Sequence, residues 1–186
     1  MVLEVPRRRF SFAEYHLMAE RGILSEDDRV EFIGGEIVEM TPIGRAHAAC
    51  VDRIAERFAE LFRRDAQVRV QSPVQLGDHS EVQPDVTLLC RRSDFYASGH
   101  PTPADVLLLV EMADSSLDYE REIKLPLYAR YGIAEVWLVN LIAGTITGFR
   151  EPTISGYQSV RPYRRGEWLS PGAFPGREMG VSGILG

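Results

Sequence analysis

Asp85-Val86-Thr87-Leu88-Leu89-Cys90 and Val106-Leu107-Leu108-Leu109-Val110-Glu111 are the two stretches that decide the fold. Each apolar run is continuous rather than alternating, the pattern of a strand covered on both faces. An acid opens the first run and another closes the second. If the runs pair antiparallel, the start of one and the end of the other share an edge of the sheet. The two carboxylates then meet at its rim. Oxygens gathered in this way suit a hard cation, Mg²⁺ or Mn²⁺, rather than zinc. Glu111 follows five apolar residues and precedes Met112 and Ala113, so its charge calls for a partner or a metal.

Outward from these runs the pattern is mixed. Ser11 and Glu14 have capping-box spacing and open a short helix carrying Tyr15, Leu17 and Met18. Asp28 to Met40 reads as a hairpin turning on Gly34-Gly35, where both positions accept positive φ. From Ala46 to Arg64 the period is helical, with Val51, Ile54, Ala55, Phe58, Leu61 and Phe62 as the apolar stripe. Val68 with Val70 and Val74 with Leu76 alternate as strands around Ser72-Pro73. A helix is predicted over Asp118 to Tyr131, which Pro126 must kink or restart, with Gly132 as its C-terminal cap. Ala134 to Asn140 and Thr145 to Arg150 form a second hairpin, and a short strand is expected near Tyr157 to Val160. The Gly- and Pro-rich tail after Trp168 is expected to lie irregularly on the surface. The sum is an α/β (mixed α+β) fold with one central mixed sheet and helices on both faces, a single domain over residues 1–186.

The composition bounds the function. The chain has 186 residues, 45% hydrophobic and 26% charged, with formal charge −6. That length buries about 70% of the unfolded surface without help from disulfides. No apolar run approaches the roughly 18 residues of a membrane span, and no apolar signal core follows Arg7-Arg8-Arg9. Cys50 and Cys90 are too few for a disulfide framework or a closed zinc site, which fits the cytoplasm. The acidic balance disfavours a nucleic-acid partner only mildly, since a carboxylate metal centre needs just local cationic rims. Candidates are Arg7 to Arg9, Arg63-Arg64, Arg91-Arg92, and Arg161 with Arg164 and Arg165. Of 21 basic residues, 20 are arginine and only Lys124 is lysine. A position that needs a compact ammonium resists arginine, which is bulkier, planar and always protonated.

Several motifs in order then resemble one family. They are Val30-Glu31-Phe32-Ile33-Gly34-Gly35-Glu36, Gln83-Pro84-Asp85, Val110-Glu111-Met112, Asp118, and the tract from Lys124-Leu125-Pro126-Leu127-Tyr128-Ala129-Arg130 to Gly132-Ile133-Ala134-Glu135-Val136-Trp137. Over about Phe10 to Val160 the chain is similar to the Uma-type restriction endonucleases of the PD-(D/E)xK nuclease superfamily. The resemblance implies a restriction-endonuclease-like core and metal-dependent hydrolysis of DNA phosphodiesters, leaving a 5′-phosphate and a 3′-hydroxyl. It makes Asp85 and Glu111 the metal ligands, for Mg²⁺ or Mn²⁺. The superfamily lysine would stand two residues beyond Glu111, where this chain has Ala113. The resemblance moves that role to Lys124, on the following helix. Glu31 becomes a catalytic support for metal or water and Gln83 a polar neighbour that touches substrate. His47 either touches substrate or caps the long helix. Double-strand cutting fits a homodimer. The alternative reading is a nuclease-fold module that binds DNA or protein without cutting; a structural dimer is a third.

Overall fold

The Gly34-Gly35 pair, at φ +59° and +81°, turns the chain from β1 (Val30–Ile33) into β2 (Glu36–Glu39), as the dipeptide predicts. The computed structural model describes residues 7–25 and 27–186; the short segment ahead of Arg7 lies outside the described residues. Before the hairpin comes α1 (Phe12–Glu20), opened by the Ser11–Glu14 capping box. After it comes α2 (Arg45–Phe62), whose stripe buries Cys50, Val51, Ile54, Phe58 and Phe62. Phe58 meets the Trp137 indole edge-on at 6.0 Å. Burying each of these phenylalanines is worth about 1.5–3 kcal/mol.

The strands that follow are β3 (Ala66–Val70), β4 (Val74–Gly77), β5 (Ser80–Val82), β6 (Val86–Cys90) and β7 (Val106–Ala113). A short α3 (Leu117–Tyr119) leads through a π-helical turn, Glu120–Lys124, into α4 (Leu125–Arg130). The remainder is β8 (Glu135–Asn140), β9 (Thr145–Thr153), β10 (Gly156–Arg164), β11 (Trp168–Leu169), β12 (Met179–Gly180) and α5 (Val181–Leu185). Six strands form the central mixed sheet in the order β10-β9-β8-β7-β6-β3, in which only β7 and β8 run parallel. The runs do pair antiparallel, Val86 opposite Val110.

Three expectations are refined. The sequence suggested one sheet, but β1, β2, β4 and β5 make a separate four-stranded sheet. Strand β7 continues past Val110 to Ala113, so Glu111 lies within the strand, opposite Leu138, rather than at its exit. Met112 then packs with α2 on one face, and Ala113 with α4 on the other. The tail forms a β11–β12 ribbon and α5, and buries Leu169, Met179, Val181, Ile184 and Leu185 against α2. Its glycines and prolines mask that apolar spacing in the sequence.

Pro126 restarts the helix, and the π turn is how. Proline has no N–H for the carbonyl four residues earlier, and its ring crowds that carbonyl. The turn widens instead, Leu125 N–H reaching back five residues to the Glu120 carbonyl, with Pro126 in the first turn of α4. At the other end Gly132, φ +76°, closes the helix. Its N–H bonds Ala129 and that of Ile133 bonds Tyr128, a Schellman cap.

Candidate functional site

Lys124 is buried, 3% exposed, and its Nζ lies 3.0 Å from both Glu111 Oε1 and Glu31 Oε1. Glu120, one turn earlier, places Oε2 3.9 Å from the same nitrogen, beyond hydrogen-bonding reach. Strand alternation aims Glu111 off the central sheet toward α4, while β1 brings Glu31 from the small sheet. Glu31 Oε1 also accepts from the Gln83 backbone N–H at 2.8 Å, and the Tyr128 hydroxyl donates to Glu111 Oε1. Burial opposes the ammonium charge. Glu111, Glu31 and Glu120 outweigh it and hold the Lys124 pKa well above its ordinary value.

Asp85 anchors the adjoining part of the site. Its Oδ2 accepts from the Met112 N–H at 2.9 Å, fixing it beside Glu111. Its Oδ1 accepts from His47 Nε2 at 2.7 Å and Gln71 Nε2 at 3.3 Å. Gln71 has a left-handed φ of +42°, and its own N–H also bonds the Asp85 carbonyl. A non-glycine residue in that conformation is uncommon and is held by such surroundings. His47 does not cap α2, which has Gly44 at its N-cap; its ring is committed to Asp85. That hydrogen bond, opposed by burial, raises the His47 pKa.

All six sequence-selected residues, Glu31, His47, Gln83, Asp85, Glu111 and Lys124, line one cavity of about 470 Å³. Tyr119, Glu120, Asp114 and Arg29 join them. Among the described residues Arg29 is the one arginine on the wall; none of the candidate arginine clusters lines the cavity. Glu120, Tyr128 and Gln71 were missed. The four-residue spacings of Glu120 and Tyr128 from Lys124 put all three on one helical face, a signal visible in the sequence. Gln71 left none.

The donor set fits a hard divalent cation. Both hydrogen bonds to Glu111 fall on Oε1, which leaves Oε2 for a cation among the described residues. Glu120 Oε2 is a buried oxygen without a hydrogen bond. Burial, then the charges of Asp85 and Glu31 against the opposing one of Lys124, pushes the Glu111 carboxyl up to about 7. Burial and Glu111 push Glu120 up to about 9. Burial and mutual repulsion thus both favour the protonated forms of Glu111 and Glu120. Two carboxylates lining one cavity, such as Asp85 and Glu111, suit such a divalent cation, since Mg²⁺ commonly binds one or two carboxylates with water and phosphate completing its shell.

A carboxyl raised on folding weakens the fold as pH climbs from its unfolded pKa to its folded one, here from 4.5 to about 9 for Glu120. Glu120→Gln is therefore expected to raise unfolding free energy near neutral pH by roughly 1–2 kcal/mol. It should also flatten the loss of stability between about pH 5 and about pH 9. Urea unfolding across that range measures both; unchanged curves would mean that Glu120 is ionised at little cost.

The family model described as "Uma2: Putative restriction endonuclease" matches residues 12–182. The chain belongs to the Uma2 family. It is the family that the ordered motifs resembled. No curated protein sequence matches the chain. Among solved structures it is similar to a putative nuclease belonging to DUF820 from Anabaena variabilis ATCC 29413, at 17% identity and a TM-score of 0.65. The match covers 89% of this chain and 95% of that one, and shows a shared restriction-endonuclease-like fold. Among the described residues no helix is long and apolar enough to cross a membrane.

Proposed function

We propose that this Uma2 member is a Mg²⁺-dependent endonuclease that hydrolyses phosphodiester bonds in DNA, with Asp85 and Glu111 as metal ligands and Lys124 as the catalytic cation. The observation that carries the reading is the chain's sole lysine, buried 3.0 Å from Glu111 in a cavity that Asp85 also lines. When bound, the metal polarises a phosphoryl oxygen and acidifies a water molecule.

The chain's own groups do the rest. Glu31 and Glu111 hold the Lys124 ammonium at the cavity, where it can orient water and stabilise negative charge gathering on phosphorus. Arginine would not substitute there, its planar guanidinium being too broad for a point charge held among buried carboxylates. Arg29, and His47 when protonated, are cationic groups on the same wall that a phosphate could meet. Gln83 holds the Glu31 carboxylate through its backbone N–H, which leaves its side chain for substrate. Contacts of this kind position a strand without reading its sequence. Cutting both strands calls for two such sites, which a homodimer supplies.

Purified protein is expected to nick supercoiled plasmid in Mg²⁺ or Mn²⁺ and to stop in EDTA. Plasmid left intact while calorimetry shows Mg²⁺ uptake would instead favour a binding module without cleavage.

A further inference from the structure

The small sheet has a second face. Phe32 pairs with Glu81 across β1 and β5, so both side chains point the same way, toward α1. Tyr15 of α1 stacks on Phe32 at 4.8 Å. Glu31, next along β1, points oppositely, toward Lys124. On the α1 side, His16 Nε2 approaches Glu81 Oε2 to 3.1 Å. His100, from the loop ahead of β7, places its Nε2 3.7 Å from the same oxygen. All three donor atoms lie within 4.8 Å of one another, the one such trio of His, Cys, Asp or Glu among the described residues.

We propose that His16, Glu81 and His100 form a metal site distinct from the Asp85–Glu111 centre, selective for a borderline cation such as Zn²⁺, Co²⁺ or Ni²⁺. Three features point to it. First, the donors already have nearly the right spacing: a tetrahedral zinc with bonds of about 2.0–2.1 Å sets its ligands about 3.4 Å apart. Second, the rings are oriented before any ion arrives. The His16 ring packs against Phe12 at 4.3 Å and stacks on His100 at 5.9 Å. Third, the carboxylate is buried, 5% exposed, while both imidazoles keep an edge in solvent. A buried carboxylate needs a cation, and the open side leaves room for water as a fourth ligand.

Two imidazoles and one carboxylate select against Mg²⁺, which prefers an all-oxygen shell. The site would therefore take a different cation from the one proposed at Asp85. It would also tie α1 to β5 and to the loop at residue 100, three segments far apart in sequence. Its role is that of a clamp, and it does not depend on the nuclease reading.

The test is calorimetric titration of Zn²⁺ into the metal-stripped, full-length Asp85→Asn chain, which weakens the competing centre. One Zn²⁺ per chain is expected, and the His16→Gln/His100→Gln double change in the same background should weaken it at least as much as loss of a supporting partner does, roughly 10–100-fold. Co²⁺ should give the visible absorption of a tetrahedral complex, lost in that double variant. No Zn²⁺ uptake, or uptake that the histidine changes leave alone, would overturn the proposal and reduce the trio to an ion pair. Circular dichroism of each variant confirms folding, which half-exposed histidines should not disturb.

Discussion

Lys124→Met is expected to reduce Mg²⁺-dependent cleavage by at least about 10²–10³-fold, the scale on which a single donor to transition-state charge acts. It is also expected to cost the fold about 3–5 kcal/mol, the usual penalty for removing one partner of a buried ion pair. Methionine nearly matches the length of lysine, so little volume changes. What is lost is the charge that Glu31, Glu111 and Glu120 surround. The sign of the pH dependence follows. Without the ammonium these carboxyls hold protons still more tightly, and the folded state binds more protons than the unfolded one. Stability then falls more steeply as pH rises above the ordinary carboxyl range. The variant should therefore come nearest the parent at about pH 5 and depart furthest at about pH 9. Urea unfolding at the two pH values reads the stability, and plasmid nicking the activity. Lys124→Arg restores charge without restoring shape, so it should recover stability before activity. Cleavage by Lys124→Met within tenfold of the parent would remove the lysine from the chemistry.

That the lysine could be found at all came from composition: one ammonium among twenty arginines, placed where related motifs expect a cation. The sheet was legible for a similar reason. Runs buried on both faces have no polar alternation to confuse them, and the antiparallel pairing of Val86 with Val110 brings Asp85 and Glu111 side by side, as expected of runs paired in that way. Strand β7 was read short because Glu111 looks like a boundary to any hydrophobicity pattern, whereas the buried Lys124 ammonium and the Tyr128 hydroxyl make it tolerable inside. The division into two sheets was hidden, since β1 and β5 pair over a single register position that nothing local announces. Glu120 shares the helical face of Lys124. Yet four-residue acid–base spacing on a helix is usually a solvated pair, and only the tertiary fold distinguishes a buried one. The arginine clusters misled for the converse reason. Clustering along the chain says nothing of which wall a side chain reaches.

Asp85→Asn is expected to separate chemistry from stability more sharply than any other change at this site. The aspartate accepts three hydrogen bonds, from Met112 N–H on Oδ2 and from His47 and Gln71 on Oδ1. An asparagine of the same shape has one acceptor and one donor. With its NH₂ toward Met112, that backbone N–H loses its acceptor; turned the other way, the NH₂ meets His47 and Gln71, which both donate to Asp85 and must change tautomer or flip to keep a contact. The fold should lose about 1–3 kcal/mol, the cost of a buried polar group left unsatisfied. This is less than Lys124→Met costs, since no charge is stranded. Removing the ligand's charge should weaken Mg²⁺ uptake and cut cleavage by at least about 10²-fold, no smaller than the loss of a supporting partner causes at a metal. The same change releases His47. The Asp85 hydrogen bond is the largest influence raising its pKa, so the ring should titrate at lower pH in the variant, measurable by NMR. A chain that keeps its fold, loses Mg²⁺ uptake and shows a lowered His47 titration has had its metal ligand removed. A chain showing the His47 shift but undiminished cleavage would assign Asp85 to positioning His47 alone, leaving Glu111 to hold the metal without it.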